Sequence, residues 1–149
     1  MPYNIDPTGQ ALAISQDAAC YQGIRLAGGA LVNEHGNPIG AANVWGRRLE
    51  HGGLALLFVN TASTAKGREQ GVSISCDAAC FHASGWTVPA AGAILEVRNV
   101  WAQSNSTLTV KPGGPSLVAK NISTDGCVLV VVRLAAAASA VGSPSSELT

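Results

Sequence analysis

AILEVRNVWAQSNSTLTVKPGGPSLVAKNISTDGCVLVVVRL, residues 93–134, is the stretch whose reading decides the fold. Four runs of apolar and β-branched residues, 93–101, 106–110, 116–120 and 127–134, are strand-like in composition and length. Turn-forming residues separate them, Lys111-Pro112-Gly113-Gly114-Pro115 and Thr124-Asp125-Gly126 above all. No helical crossover lies between the runs, so the strands pair antiparallel rather than building a parallel α/β sheet. The last run, CVLVVVRL, is almost wholly apolar and belongs in the middle of a sheet with both faces covered.

The same pattern extends toward the N-terminus. Residues 42–49, 54–60 and 72–75 are further short strands, and His51-Gly52-Gly53 is a hairpin signal between the first two. Seven or eight strands make an all-β antiparallel sandwich, Greek-key-like in its connections. Gly28, Gly29, Gly36, Asn37, Pro38 and Gly40 read as a turn-rich connector ahead of it. Before that, QALAISQD (10–17) is apolar but shorter than the roughly 12–15 residues a lone helix needs. It reads as a helical or irregular remnant of something larger. The division is therefore 1–27 for the remnant and linker, 28–135 for the sandwich, and 136–149 for an Ala- and Ser-rich flexible tail.

Composition narrows the function classes. The 149 residues suffice for one domain, 47% hydrophobic and 12% charged, so the chain folds rather than staying disordered. Nine basic residues balance nine acidic ones, which removes the positive footprint that nucleic acid or anionic lipid requires. No run approaches the roughly 18 apolar residues of a membrane span. The start, Met1-Pro2-Tyr3-Asn4-Ile5-Asp6, has neither a basic region nor an apolar one, and so no secretory leader. The expectation is a leader upstream of a truncated frame, or a chain that stays in the cytosol.

Taken in order, these elements resemble the end of the α-galactosidase and α-N-acetylgalactosaminidase family, glycoside hydrolase family 27. Ala13-Ile14-Ser15-Gln16-Asp17-Ala18-Ala19-Cys20-Tyr21-Gln22-Gly23 is similar to the segment A-I-N-Q-D-P-x-x-x-Q-G by which that family leaves its barrel. Val44-Trp45-Gly46-Arg47-Arg48-Leu49, followed by an apolar strand ending in Asn60, resembles the family's first strand pair. Cys76-Asp77-Ala78-Ala79-Cys80-Phe81 is similar to the C-x-x-x-C-F element of animal members, and Val97-Arg98-Asn99-Val100-Trp101 to a D-L-W-like strand. Ser15, Ala18, Cys20 and Arg48 depart from the family's Asn, Pro, Gly and Pro. The resemblance implies a C-terminal accessory sandwich partnered by a (β/α)8 catalytic barrel that hydrolyses terminal α-galactosides. It further implies homodimer formation, and a lysosomal or secreted full-length parent. Such a domain alone exposes the apolar flank that meets the barrel and self-associates.

The candidate site residues follow from this. Retaining glycosidases hold two carboxyl groups about 5–5.5 Å apart. In the resembled family both are Asp residues of the barrel. The acids present, Asp6, Asp17, Asp77, Asp125, Glu34, Glu50, Glu69, Glu96 and Glu147, are scattered singly, so no catalytic residue is assigned. Asp17 lies in the matched segment and reads as a structural loop residue. Cys76 and Cys80 suit a short disulfide loop in an oxidising compartment, two reduced thiols, or half of a metal site. The resemblance favours the disulfide. His35, His51 and His82 lack zinc spacing, and neither a metal nor a cofactor is expected. Cys127 reads as a small core residue.

Asn105-Ser106-Thr107 and Asn121-Ile122-Ser123 are N-glycosylation acceptor triplets. Trp45 and Trp101 fall in strands and read as core, whereas Trp86, in a Gly-containing loop, is the best candidate for an exposed ring that stacks on sugar. Two other readings remain at this point: an independent carbohydrate-binding sandwich, and a truncated fragment without function.

Overall fold

The computed structural model describes residues 9–33, 35–62, 71–114 and 116–135. The expected tail 136–149, residues 1–8 of the expected remnant, and Glu34 and Glu69 lie outside them. The described chain runs α1 (Gln10–Ser15), β1 (Ile24–Val32), β2 (Pro38–Arg48), β3 (Leu54–Asn60), β4 (Val72–Cys76), α2 (Ala78–Ala83), β5 (Ala93–Asn99), β6 (Ser104–Val110), β7 (Leu117–Ile122) and β8 (Cys127–Leu134). The protein is an antiparallel β-sandwich. A six-stranded sheet ordered β1-β2-β3-β8-β5-β6 faces a two-stranded sheet of β4 and β7. Strand β8 thus inserts between β3 and β5, the long-range connection expected of a Greek-key arrangement.

Alternation along the strands explains the core. Leu54, Leu56 and Phe58 of β3, Val130 and Val132 of β8, and Leu95 and Val97 of β5 point to one face of the large sheet. There they meet Ile74 and Cys76 of β4, Ile122 of β7, and Cys80 and Phe81 of α2. Each such side chain contributes about 1.5–3 kcal/mol by leaving water. As its sequence requires, β8 sits centrally, paired with β3 and β5.

One buried polar residue ties the two sheets. Asn60, 1% exposed at the end of β3, donates Nδ2–H to the carbonyl of Ile122 at 3.0 Å, and its Oδ1 accepts from the backbone of Ala62 at 2.9 Å. Gly40 of β2 sits close by with φ +142°, and a Cβ there would lie 2.4 Å from the Thr61 carbonyl oxygen. Only glycine lets that crossing close.

Three local readings are corrected. The connector assigned around Gly28 and Gly29 is strand β1, and the sheet begins at Ile24, ahead of the division at 28. Glycines suggest a turn, but Gly28 and Gly29 pair in continuous register with Asn43 and Ala42, and the register shifts of β1 lie outside them, between Arg25 and Ala27 and between Leu31 and Val32. Residues 78–83 form α2 because Asp77 caps it, its Oδ1 accepting from the Cys80 amide at 3.0 Å. Strand β5 stops at Asn99, whose Oδ1 accepts from the Ala102 amide at 3.0 Å, so Trp101 lies in the turn that follows.

Candidate functional site

The outer face of the six-stranded sheet, turned away from β4 and β7, carries the features that core packing does not use. Strand register lays its side chains out in rows. Arg25, Trp45, Leu57 and Leu129 form one row across β1, β2, β3 and β8. Arg47, Ala55, Val131, Arg98 and Asn105 form the next, and Arg133, Glu96 and Thr107 the one after.

Helix α1 lies over the middle row. Its first residue is held from β5, where Arg98 Nε donates to Gln10 Oε1 at 3.1 Å; its last is held from β2, where Arg47 Nη1 donates to the Ser15 carbonyl at 3.0 Å. Between them Ile14 packs on a second apolar cluster of Leu49, Ala55, Val100 and Val131, joined by Trp101 and Leu129. The segment that is too short to be helical alone is helical because the sandwich holds both its ends and buries its apolar face. Asp17 then fastens the chain beyond the helix. Its Oδ1 accepts from the Ala19 amide at 3.0 Å and from the Glu50 amide at 2.9 Å. This is the structural loop role expected of Asp17.

On the Trp45 side of α1 the row is apolar at Trp45, Leu57 and Leu129 and ends in Arg25. Trp45 is 43% exposed, so the expectation that it fills the core is overturned: Val44 faces inward and alternation turns Trp45 out. Beside it on the same face, Asn43 Oδ1 and Arg47 Nε are buried without a hydrogen-bond partner among the described residues. The Arg48 guanidinium stands 4.9 Å from the centroid of the exposed Tyr21 ring.

Other expectations divide. Cys76 and Cys80 form a disulfide, their Cα atoms 5.2 Å apart. Trp86 is half-buried rather than exposed. Its ring stacks on Phe81 with centroids 6.0 Å apart, and it walls an apolar cavity of about 280 Å³ with Phe81, Val88, Leu95 and Leu134. The loop that holds it folds back, the Trp86 amide donating to the Phe81 carbonyl at 3.1 Å. Cys127 is an exposed free thiol, not a core residue, because it opens β8 opposite Val59 on the outer face. Asn105 and Asn121 are both exposed, on β6 and β7.

Cys20, standing where the resembled family has Gly, adopts φ +55°. Sequence reasoning missed the part played by Arg47, Arg98 and Asn60. The signal was present for Asn60, a polar residue closing an otherwise apolar strand.

No protein-family profile matches the chain, and the search of curated proteins found no match. Its fold is shared with solved α-galactosidases. The structure of the Saccharomyces cerevisiae enzyme with raffinose superposes with a TM-score of 0.59 at 11% identity, over 83% of this chain and 35% of that one. α-Galactosidase I from Mortierella vinacea gives 0.57 at 13% identity, over 83% of this chain and 26% of that one. The chain therefore spans between a quarter and about a third of the enzymes whose fold it shares.

Proposed function

We propose that this chain is the accessory, non-catalytic C-terminal sandwich of an α-galactosidase-like glycoside hydrolase, and that its outer face seats a (β/α)8 catalytic domain. The observation that carries the reading is the shared fold, which accounts for only 35% of the yeast enzyme and so leaves room for a separate catalytic module. Three features of the outer face support it. Helix α1 is anchored over the sheet at both ends, Trp45 stands exposed with Leu57 and Leu129 in the row beside it, and two buried polar atoms flank that ring without a partner among the described residues. Native proteins leave few such atoms unpaired. A third layer packed on this face would cover the row.

The whole enzyme would release terminal α-galactosyl or N-acetylgalactosaminyl residues, with both carboxyl groups supplied by the barrel. Its homodimer formation and its lysosomal or secreted location belong to the same proposal. The location is supported by the Cys76–Cys80 disulfide, which suits an oxidising compartment, and by acceptor triplets at exposed Asn105 and Asn121.

The test is co-expression of this chain with an α-galactosidase catalytic domain stripped of its own sandwich. The pair should co-purify and cleave a chromogenic α-galactoside, while the chain alone shows no turnover. Turnover by the isolated chain refutes the accessory role; failure to associate with the catalytic domain refutes the docking face.

A further inference from the structure

The two sheets differ in width, and the difference leaves a cleft between them. Strand β7 packs over β3 and β8, while β5 and β6 continue past its free edge. The space beneath that edge is a cleft of about 320 Å³. It lies on the inner side of the large sheet, away from the face proposed to seat a catalytic domain. Register grades its floor from apolar to polar. Phe58 of β3 stands opposite Val128 of β8; in the next row Val130 of β8 is followed by Asn99 of β5 and Ser104 of β6, and in the row after that Val97 of β5 is followed by Ser106. The inner end is thus hydrocarbon and the β6 end is hydroxyl and amide, over three strand spacings or about 14 Å.

The polar part of the lining offers donors and a positive charge, with no acid to balance them. Lys120 of β7 is the charged residue of the lining, and among the described residues its ammonium has neither an ion-pair nor a hydrogen-bond partner. The Ser104 and Ser106 hydroxyls are likewise unengaged there. Asn99 has its Oδ1 taken by the Ala102 amide at 3.0 Å, which leaves its Nδ2–H groups to donate. A neutral polar ligand would leave the ammonium unmatched, and an inorganic anion would leave Phe58, Val128 and Val130 uncovered. A ligand that satisfies both ends carries an anionic head on an apolar tail.

We infer that this cleft binds a medium-chain alkyl carboxylate. The tail lies under β7 against Phe58, Val128 and Val130, and the carboxylate accepts from Lys120 and from the hydroxyls of β6. A lysine on a free edge also discourages the addition of further strands, but that role would leave the affinity for carboxylates unchanged when the charge is removed. The site belongs to the sandwich itself and is independent of whether a catalytic domain accompanies it.

The test is titration of the purified chain with octanoate, hexanoate, octan-1-ol and acetate, followed by amide NMR shifts. Octanoate should move the amides of 104–106, 117–120 and 128–130 saturably, with Kd on the order of 1 mM. Hexanoate should bind about 15-fold more weakly, about fourfold for each methylene withdrawn from the apolar wall. Octan-1-ol and acetate should each bind at least about tenfold more weakly than octanoate. Lys120→Gln, at an exposed position, should weaken octanoate about tenfold and leave octan-1-ol unchanged, whereas Lys120→Arg should retain octanoate binding. Octanoate bound no tighter than octan-1-ol or acetate overturns the inference. So do shifts confined to other residues, and affinity indifferent to the charge at 120. Octanoate binding that emerges only after deletion of 136–149 also overturns it, by giving the cleft to the chain's own C-terminal segment, as do ligand-free shifts of the same amides with protein concentration, by giving it to a second copy.

Discussion

Replacing Asp17 with Ala should open the segment that carries α1 without unfolding the sandwich. The carboxylate accepts two backbone N–H groups, from Ala19 at 3.0 Å and Glu50 at 2.9 Å. Protected hydrogen bonds to a charged group contribute about 1.5–3 kcal/mol each. Asp17 is half-buried, so water replaces part of what is lost, and the pair together is worth about 2 kcal/mol. At about 1.4 kcal/mol per factor of ten, the locally open state becomes roughly 30-fold more populated. Native-state hydrogen exchange reads this directly. The amides of Ala19 and Glu50 should exchange about 30-fold faster, whereas amides of β3 and β8, which open only with the whole domain, should keep their rates. Asp17→Asn retains a neutral acceptor and should lose about half as much, a roughly fivefold acceleration. Unchanged exchange at Ala19 and Glu50 refutes the latch; equal loss of protection in β3 and β8 refutes its being local.

Cys20→Gly should raise the thermal midpoint by about 1–4 °C in calorimetry, because relief of a left-handed backbone at φ +55° outweighs glycine's entropy by about 0.5–1 kcal/mol. A lower midpoint contradicts that reading. Asn60→Ala strands the Ile122 carbonyl and the Ala62 amide at the joint between sheets and should cost about 2–4 kcal/mol in a urea melt, with an unchanged midpoint counting against the tie. Cys76→Ser should cost about 2 kcal/mol, the chain entropy of a loop closed over a separation of 4 residues, and reductant should not destabilise the variant further. Trp45→Lys should convert a self-associating isolated chain to monomer in sedimentation at high concentration, with stability changed by no more than about 1 kcal/mol; persistent association places the contact elsewhere.

Strands were legible wherever apolar runs and turn chemistry agreed. Residues 54–60 and 127–134 match β3 and β8 residue for residue. Strand β1 was not, because Gly28 and Gly29 carry a turn signal and its side chains are largely exposed, so no inward stripe marks it. Helix α2 was hidden in the C-x-x-x-C spacing, where the cap depends on the rotamer of Asp77. The tryptophans came out inverted for a related reason. Alternation tells which residues share a face but not which face is covered, so Trp45 read as core and Trp86, in a loop, read as surface.

What lies over a face is decided by topology. Among the described residues, six strands opposed by two leave the outer side of the large sheet without a second sheet, yet Trp45, Leu57 and Leu129 make most of one row apolar. Helix α1 covers the adjoining row and is fixed by arginines from β2 and β5, strands far apart in sequence. Neither arginine announces itself, because its role exists only once β8 has inserted between β3 and β5 and brought those strands into one sheet. The apolar row and the seat of α1 are thus consequences of one topological choice. A substitution that displaced β8 would remove both together, whereas Trp45→Lys should remove the row alone and leave α1 seated.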